Sequence, residues 1–171
     1  NNSRSKIISS NYGNVKPIPG LNIRSSFSFD LMDQKYYDYI PSDIQQAKRD
    51  SYLGKAVHNL DSRYNYQWDN SITYDKTVGQ HTFNGLFATS LSRDTYSYTN
   101  VSARNFPIDD FSYYNLGAAF DKLNFNLGSD FIQSSLLSYL ARVNYNYANK
   151  YFATVTGRVD GSSRFADDQR W

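Results

Sequence analysis

The sequence predicts an all-β fold of antiparallel, up-and-down strands forming one segment of a transmembrane β-barrel. Three observations predict it. Apolar and polar residues alternate with a period of two over stretches of about 11 residues, the length a tilted strand needs to cross a bilayer. Short and long connections alternate along the chain, as they do between the two sides of an outer-membrane barrel. Aromatic residues make up 17% of the 171, with 16 Tyr, 11 Phe and 2 Trp, yet the mean hydropathy is only −0.66. A barrel reconciles those values, because its polar inner face averages out its apolar outer one.

Taken in order, the first element is Lys6–Pro17, whose two faces are both mixed. Pro and Gly at Ile18-Pro-Gly20 then reverse the chain. Leu21–Leu31 is the clearest strand: Leu21, Ile23, Phe27, Phe29 and Leu31 share one parity, and Asn22, Arg24, Ser26, Ser28 and Asp30 the other. A polar connection spans about 39–62. In Arg63–Asp75 the apolar parity holds Tyr64, Tyr66, Trp68, Ile72 and Tyr74. After a short turn at Val78-Gly-Gln-His81, the strand His81–Leu91 places Phe83, Phe87 and Leu91 together but breaks register at Leu86. A second long polar connection covers about 97–133. Leu137–Tyr147 alternates cleanly, a turn follows at Ala148-Asn-Lys150, and Tyr151–Val159 alternates with Phe152 as the exception. A soluble sandwich with one wet face would alternate likewise. Its strands average about 5–6 residues, however, and its loops need not alternate in length.

No stretch approaches the roughly 18 apolar residues of a membrane-spanning helix. With 18 Lys+Arg against 16 Asp+Glu, the net charge of +2 gives no reason to expect nucleic acid as a partner. The absence of Cys removes thiolate metal sites, disulfides and thiol nucleophiles. His58, in a polar connection, and His81, opening a strand, have no ligand-spaced neighbours, so they are read as exposed and no cofactor is expected. Asp109-Asp110 and Asp167-Asp168 lack the spaced pattern of a calcium loop and are read as solvated. No Gly-rich phosphate loop or nucleophile elbow is present. An enzyme is therefore not expected.

On the polar parity, Arg24, Asp30, Arg63, Asp69, Arg142 and Arg158 are expected to face the lumen. A charge at the midplane of the lipid side would cost about 2–4 kcal/mol. The aromatics Tyr52, Phe111, Tyr113 and Tyr114 are candidates for stacking on substrate from the long connections, against the alternative that they pack within them. In Asp160-Gly-Ser-Ser-Arg164, Gly161 is read as a chain reversal, with Asp160 and Arg164 organising the base of a loop. Six strands cannot close around a polar interior, since the smallest bacterial barrels have about eight and an open edge in lipid leaves backbone groups unpaired. Further strands are expected to continue the sheet at both ends of this chain.

The segment Leu136-Leu-Ser-Tyr-Leu-Ala-Arg-Val-Asn-Tyr-Asn-Tyr147, followed by Lys150-Tyr-Phe-Ala-Thr-Val-Thr-Gly-Arg-Val-Asp-Gly-Ser-Ser-Arg-Phe165, resembles the SusC/RagA family of TonB-linked outer-membrane transporters of Bacteroidetes. Arg170-Trp171 sits where that family begins its next strand. Pro17–Phe27, Asn70-Ser-Ile-Thr-Tyr74 and Phe106-Pro-Ile-Asp-Asp110 are similar to its earlier strands and to one of its extracellular loops. The resemblance implies a plugged barrel of about 22 strands, of which this chain would supply about a quarter. It implies a multi-pass protein of the bacterial outer membrane that contacts membrane lipid and imports an oligosaccharide or a peptide. A SusD-like surface lipoprotein would cap it and TonB would energise it. The whole chain, 1–171, would belong to the barrel domain, with the plug domain and TonB box outside it. A structural or adhesive barrel without a transport cycle is the alternative.

Overall fold

The computed structural model describes residues 1–166; Asp167-Asp168 and Arg170-Trp171 lie outside the described residues. Six strands form one sheet in sequence order, all antiparallel: β1 (Asn2–Val15), β2 (Leu21–Ile40), β3 (Lys55–Val78), β4 (His81–Arg104), β5 (Asn126–Tyr147) and β6 (Tyr151–Ser162). The up-and-down order follows from the turns, since a short reversal can only join antiparallel neighbours. One short helix, α1 (Gln45–Arg49), lies between β2 and β3. It is far too short to cross a membrane.

Each tight turn has the backbone its residues favour. Ile18–Leu21 is closed by the Leu21 N–H donating to the Ile18 carbonyl at 3.1 Å, with Pro19 and Gly20 at the centre. Gly20 has φ +86°, as the third position of a type II turn requires. A side chain there would run into the Asp75 carbonyl, because the Asp75 N–H donates to the Gly20 carbonyl at 2.8 Å. Gly20→Ala is expected to cost about 1–2 kcal/mol from the left-handed backbone alone. A urea midpoint indistinguishable from the parent's would refute this. At the β5–β6 turn Ala148 and Asn149 both have positive φ, 51° and 55°, the signature of a type I′ hairpin.

The strands are longer than the alternation indicated. β2 runs 20 residues, β3 and β4 24 each and β5 22. The two polar connections are correspondingly shorter, 41–54 and 105–125. The added portions, such as 55–62 and 97–104, carry polar residues on both parities. A ladder continues there because its hydrogen bonds need no apolar face. Leu86 does not interrupt β4: it lies on the polar parity between Asn84 and Ser90, both of which bond across to β3. Phe152 likewise stands on the polar parity, opposite Asn146.

The chain divides into two compact units. One comprises Asn1–Ile7, Leu31–Tyr64 and Thr95–Ile132 and holds both long connections. Its buried centre is Ala56, Ala103, Phe106 and Ala119, with Tyr39, Phe111 and Phe125 packed against it. The other comprises Ile8–Asp30, Asn65–Asp94 and the chain from Gln133 onward, with the three tight turns. It is a sheet without a packed interior: Phe27, Trp68 and Val143 are 44%, 47% and 52% exposed. A water-soluble sandwich would bury those side chains against a second sheet. Asn70 falls on their parity, and its polarity is met locally. The Trp68 indole N–H donates to Ser25 Oγ at 3.0 Å, and that hydroxyl donates to Asn70 Oδ1 at 2.7 Å.

Candidate functional site

The polar parities of neighbouring strands meet on one face, and cross-strand hydrogen bonds tie them together. Ser10 and Ser28 hydroxyls are 2.9 Å apart, Ser90 donates to Asp69 at 2.5 Å, and Asn144 bridges Asn84 (2.8 Å) and Thr154 (2.9 Å). Around this lattice the expected lumen residues are placed one by one. Arg24 lies 4.2 Å from the centre of the Tyr12 ring, and Arg63 lies 5.5 Å from that of Tyr96. Asp69 also accepts from Gln67 at 2.9 Å, and Arg142 donates to Thr156 Oγ1 at 3.2 Å. Arg158 donates to Asp160 at 3.0 Å. An aromatic surface or a hydroxyl thus fixes most of these cations, leaving guanidinium N–H groups to spare.

Above that lattice an open groove of about 620 Å³ crosses the second unit, lined by Ser10, Ser28, Asp30, Asn65, Gln67 and Asp94 among others. Short hydroxyl side chains keep it open; amides and carboxylates give it acceptors and donors at close spacing. Ile8, Phe29, Tyr66 and Leu136 also line it, so the wall offers apolar contact as well as hydrogen bonds. Both histidines are committed elsewhere. His58 is a strand residue, half-buried, with Nε2 2.7 Å from the Tyr113 carbonyl oxygen and its ring edge-on to Tyr37. His81 Nδ1 is 2.7 Å from the Tyr145 hydroxyl. Among the described residues no group of three or more metal-ligating side chains converges.

The four loop aromatics are not gathered into one platform. Tyr52 is only 8% exposed and its hydroxyl is buried without a partner. Phe111 packs on the buried cluster. Tyr113 stacks on Tyr37 at 5.6 Å, with Tyr114 against it, 78% exposed. Tyr37 shares the parity of Leu31. Gly161 is not a chain reversal. It is a β6 residue paired with Leu137, and Asp160 is paired with Ser138; the ladder continues through the Asp-Gly pair because β5 supplies a partner at each position. The reversal comes later, at Ser163-Arg164, where Arg164 donates to Ser134 Oγ at 3.3 Å.

One junction of the loops was not foreseen. Asp109 accepts from the Tyr39 hydroxyl (2.7 Å), the Ser42 hydroxyl (2.8 Å) and the Ser42 N–H (3.1 Å), clasping the 105–125 connection to the end of β2. These donors hold its carboxyl below the usual range, the Tyr39 hydroxyl most of all. Burial and the neighbouring Asp109 push the Tyr39 hydroxyl up. Acidic loop residues spaced for no metal gave no sign of this in the sequence.

The chain is 32% identical over 162 residues to TonB-dependent receptor P39 of Formosa agariphila, matching 94% of this chain and 15% of that protein. TonB-dependent receptor P3 of the same organism is 29% identical over 94% of this chain and 16% of its own length. TonB-dependent receptor SusC of Bacteroides thetaiotaomicron is 51% identical over 39 residues, which are 23% of this chain and 4% of that one. The chain is barrel sequence of the SusC/RagA-type TonB-dependent receptor family. No family model matches it. The structure of the RagAB peptide transporter superposes with a TM-score of 0.86 at 16% identity, over 99% of this chain and 19% of that one, and so shares the fold. The chain spans roughly one-sixth of the length of the relatives that match nearly all of it. Within an outer-membrane barrel of this family, the parity of Phe27, Trp68 and Val143 faces lipid and the lattice of Asp69 and Asn144 faces inward.

Proposed function

We propose that this chain is one wall of a TonB-dependent importer that carries an oligosaccharide or a peptide across the bacterial outer membrane. The observation that carries the reading is the match to TonB-dependent receptors along 94% of the chain. The groove of serines, amides and carboxylates, with Phe29 and Leu136 among them, supports a cargo that makes both hydrogen bonds and apolar contacts with the wall. The capture surface on this reading is the polar face of the strands. A SusD-like surface lipoprotein is the partner this reading expects. On this reading 1–171 is barrel wall, and the rest of the receptor supplies the plug domain and the TonB-contacting segment.

Deletion of the full-length gene tests the proposal. Uptake of labelled oligosaccharide and peptide pools by the parent and the deletion strain should differ for one pool at least tenfold, and loss of TonB should reproduce the defect. Equal uptake of both pools by the two strains would refute import.

A further inference from the structure

Charged residues on the strands of the second unit keep to the polar parity with two exceptions, Lys76 beside the tight turn that ends β3 and Arg93 far from any tight turn. Arg93 follows Phe83, Phe87 and Leu91 on the apolar parity of β4. It lies about 12 residues beyond the tight turn that opens β4. That is roughly 40 Å along a strand and roughly 30 Å along the membrane normal at a 40° tilt. Arg93 therefore marks the edge of the apolar band away from the short turns, which in such barrels is the extracellular leaflet.

The side chain is held in place there. Its Nε donates to Ser135 Oγ at 3.1 Å, and its guanidinium lies 5.8 Å from the centre of the Tyr66 ring. Ser135 is itself fixed: its N–H donates to Ser163 Oγ at 2.7 Å, and the Ser163 N–H donates to the Ser135 carbonyl at 2.9 Å. Asp94 beside it belongs to the opposite parity. With Nε occupied, the two terminal amino groups remain as a fork on an exposed residue. A guanidinium held through its Nε next to a hydroxyl is a receptor for a tetrahedral oxyanion. Leu91, Leu137 and Phe87 below it would lie along the acyl chains of whatever carries that anion.

We propose that Arg93, with Ser135 and Tyr66, binds a phosphate on the headgroup of an outer-leaflet glycolipid. A cation that only reached for water would need neither the tie to Ser135 nor the Tyr66 platform, and a soluble anion would make no use of the apolar strip beneath. The proposal rests on the membrane-barrel placement and not on transport, so a failed uptake experiment leaves it standing.

The test uses the full-length receptor, delipidated in detergent, with diphosphoryl lipid A as the probe. Dephosphorylated lipid A and inorganic phosphate are the controls. Diphosphoryl lipid A is expected to raise the unfolding midpoint of the parent, and Arg93→Gln to lose at least half of that rise. Arg93→Lys, which keeps the charge but not the fork, should fall between. An equal rise in parent and Arg93→Gln overturns the proposal. So does an equal rise with dephosphorylated lipid A, or with inorganic phosphate, which would make this a site for free anions.

Discussion

Replacing Asp109 with alanine is expected to free the connection between β4 and β5, at a cost of about 2–3 kcal/mol in local stability. The carboxylate is the single acceptor for the Tyr39 hydroxyl and for both donors of Ser42. Its removal leaves a half-buried phenol and a backbone N–H without their partner. Next to it, Gly54 with φ +73° packs too closely on Tyr39 and Asp109 to accept a side chain, so the clasp has no neighbour able to replace it. Faster amide exchange over 105–125 is the readout, with exchange in β5 and β6 unchanged. The clasp also carries a pH signature. Because the folded carboxyl titrates below its ordinary value, its contribution is complete above about pH 4 and is lost as pH falls through the folded value. Asp109→Asn should abolish that pH dependence. Loop exchange that matches the parent in the alanine variant would remove the clasp from consideration.

The legible part of this fold is the part whose two faces meet two different solvents. Leu21–Leu31 alternates cleanly because one parity faces hydrocarbon and the other a polar interior. Each residue is then constrained by one environment alone. The same rule made the shared polar face of Arg24, Asp69 and Arg142 readable from parity. Beyond the membrane both faces are wet, and the constraint lapses. His58 could not be recognised as a strand residue, since its neighbours Asn59 and Asp61 are polar on the other parity too. Arg93 was missed for a related reason: the strand was read as ending at Leu91, where the apolar run stops, although the backbone ladder goes on. Gly161 shows local propensity losing to pairing. Asp-Gly favours a turn in isolation, but a β5 partner at every position holds it extended. The Asp109 clasp joins residues about 70 positions apart, and no local pattern records such a contact.

The substitution Val143→Lys is expected to destabilise the full-length receptor in lipid vesicles by about 2–4 kcal/mol, read from urea unfolding. Val143 pairs with Val155 across β5 and β6, mid-strand, and is 52% exposed on the parity of Tyr139 and Tyr145. That exposure separates the possible environments. Among the described residues nothing packs over Val143 as a protein core would, and water and lipid are the two surroundings the test separates. An exposed valine in water accepts lysine within about 0.5 kcal/mol, whereas at the bilayer midplane the ammonium must be dragged toward the interface. Depth supplies the second coordinate. Tyr147→Lys, four residues nearer the Ala148-Asn149 turn, should cost only about 0–1 kcal/mol, as expected close to the interface. Ser71→Lys on the inward parity of β3 should likewise cost less than about 1 kcal/mol, since its ammonium meets the polar interior. A cost that depends on parity and rises toward mid-strand is the mark of a sheet whose outer face is solvated by hydrocarbon. Equal and small costs at Val143, Tyr147 and Ser71 would mean that water wets both faces, and neither the barrel nor a lipid at Arg93 could then survive.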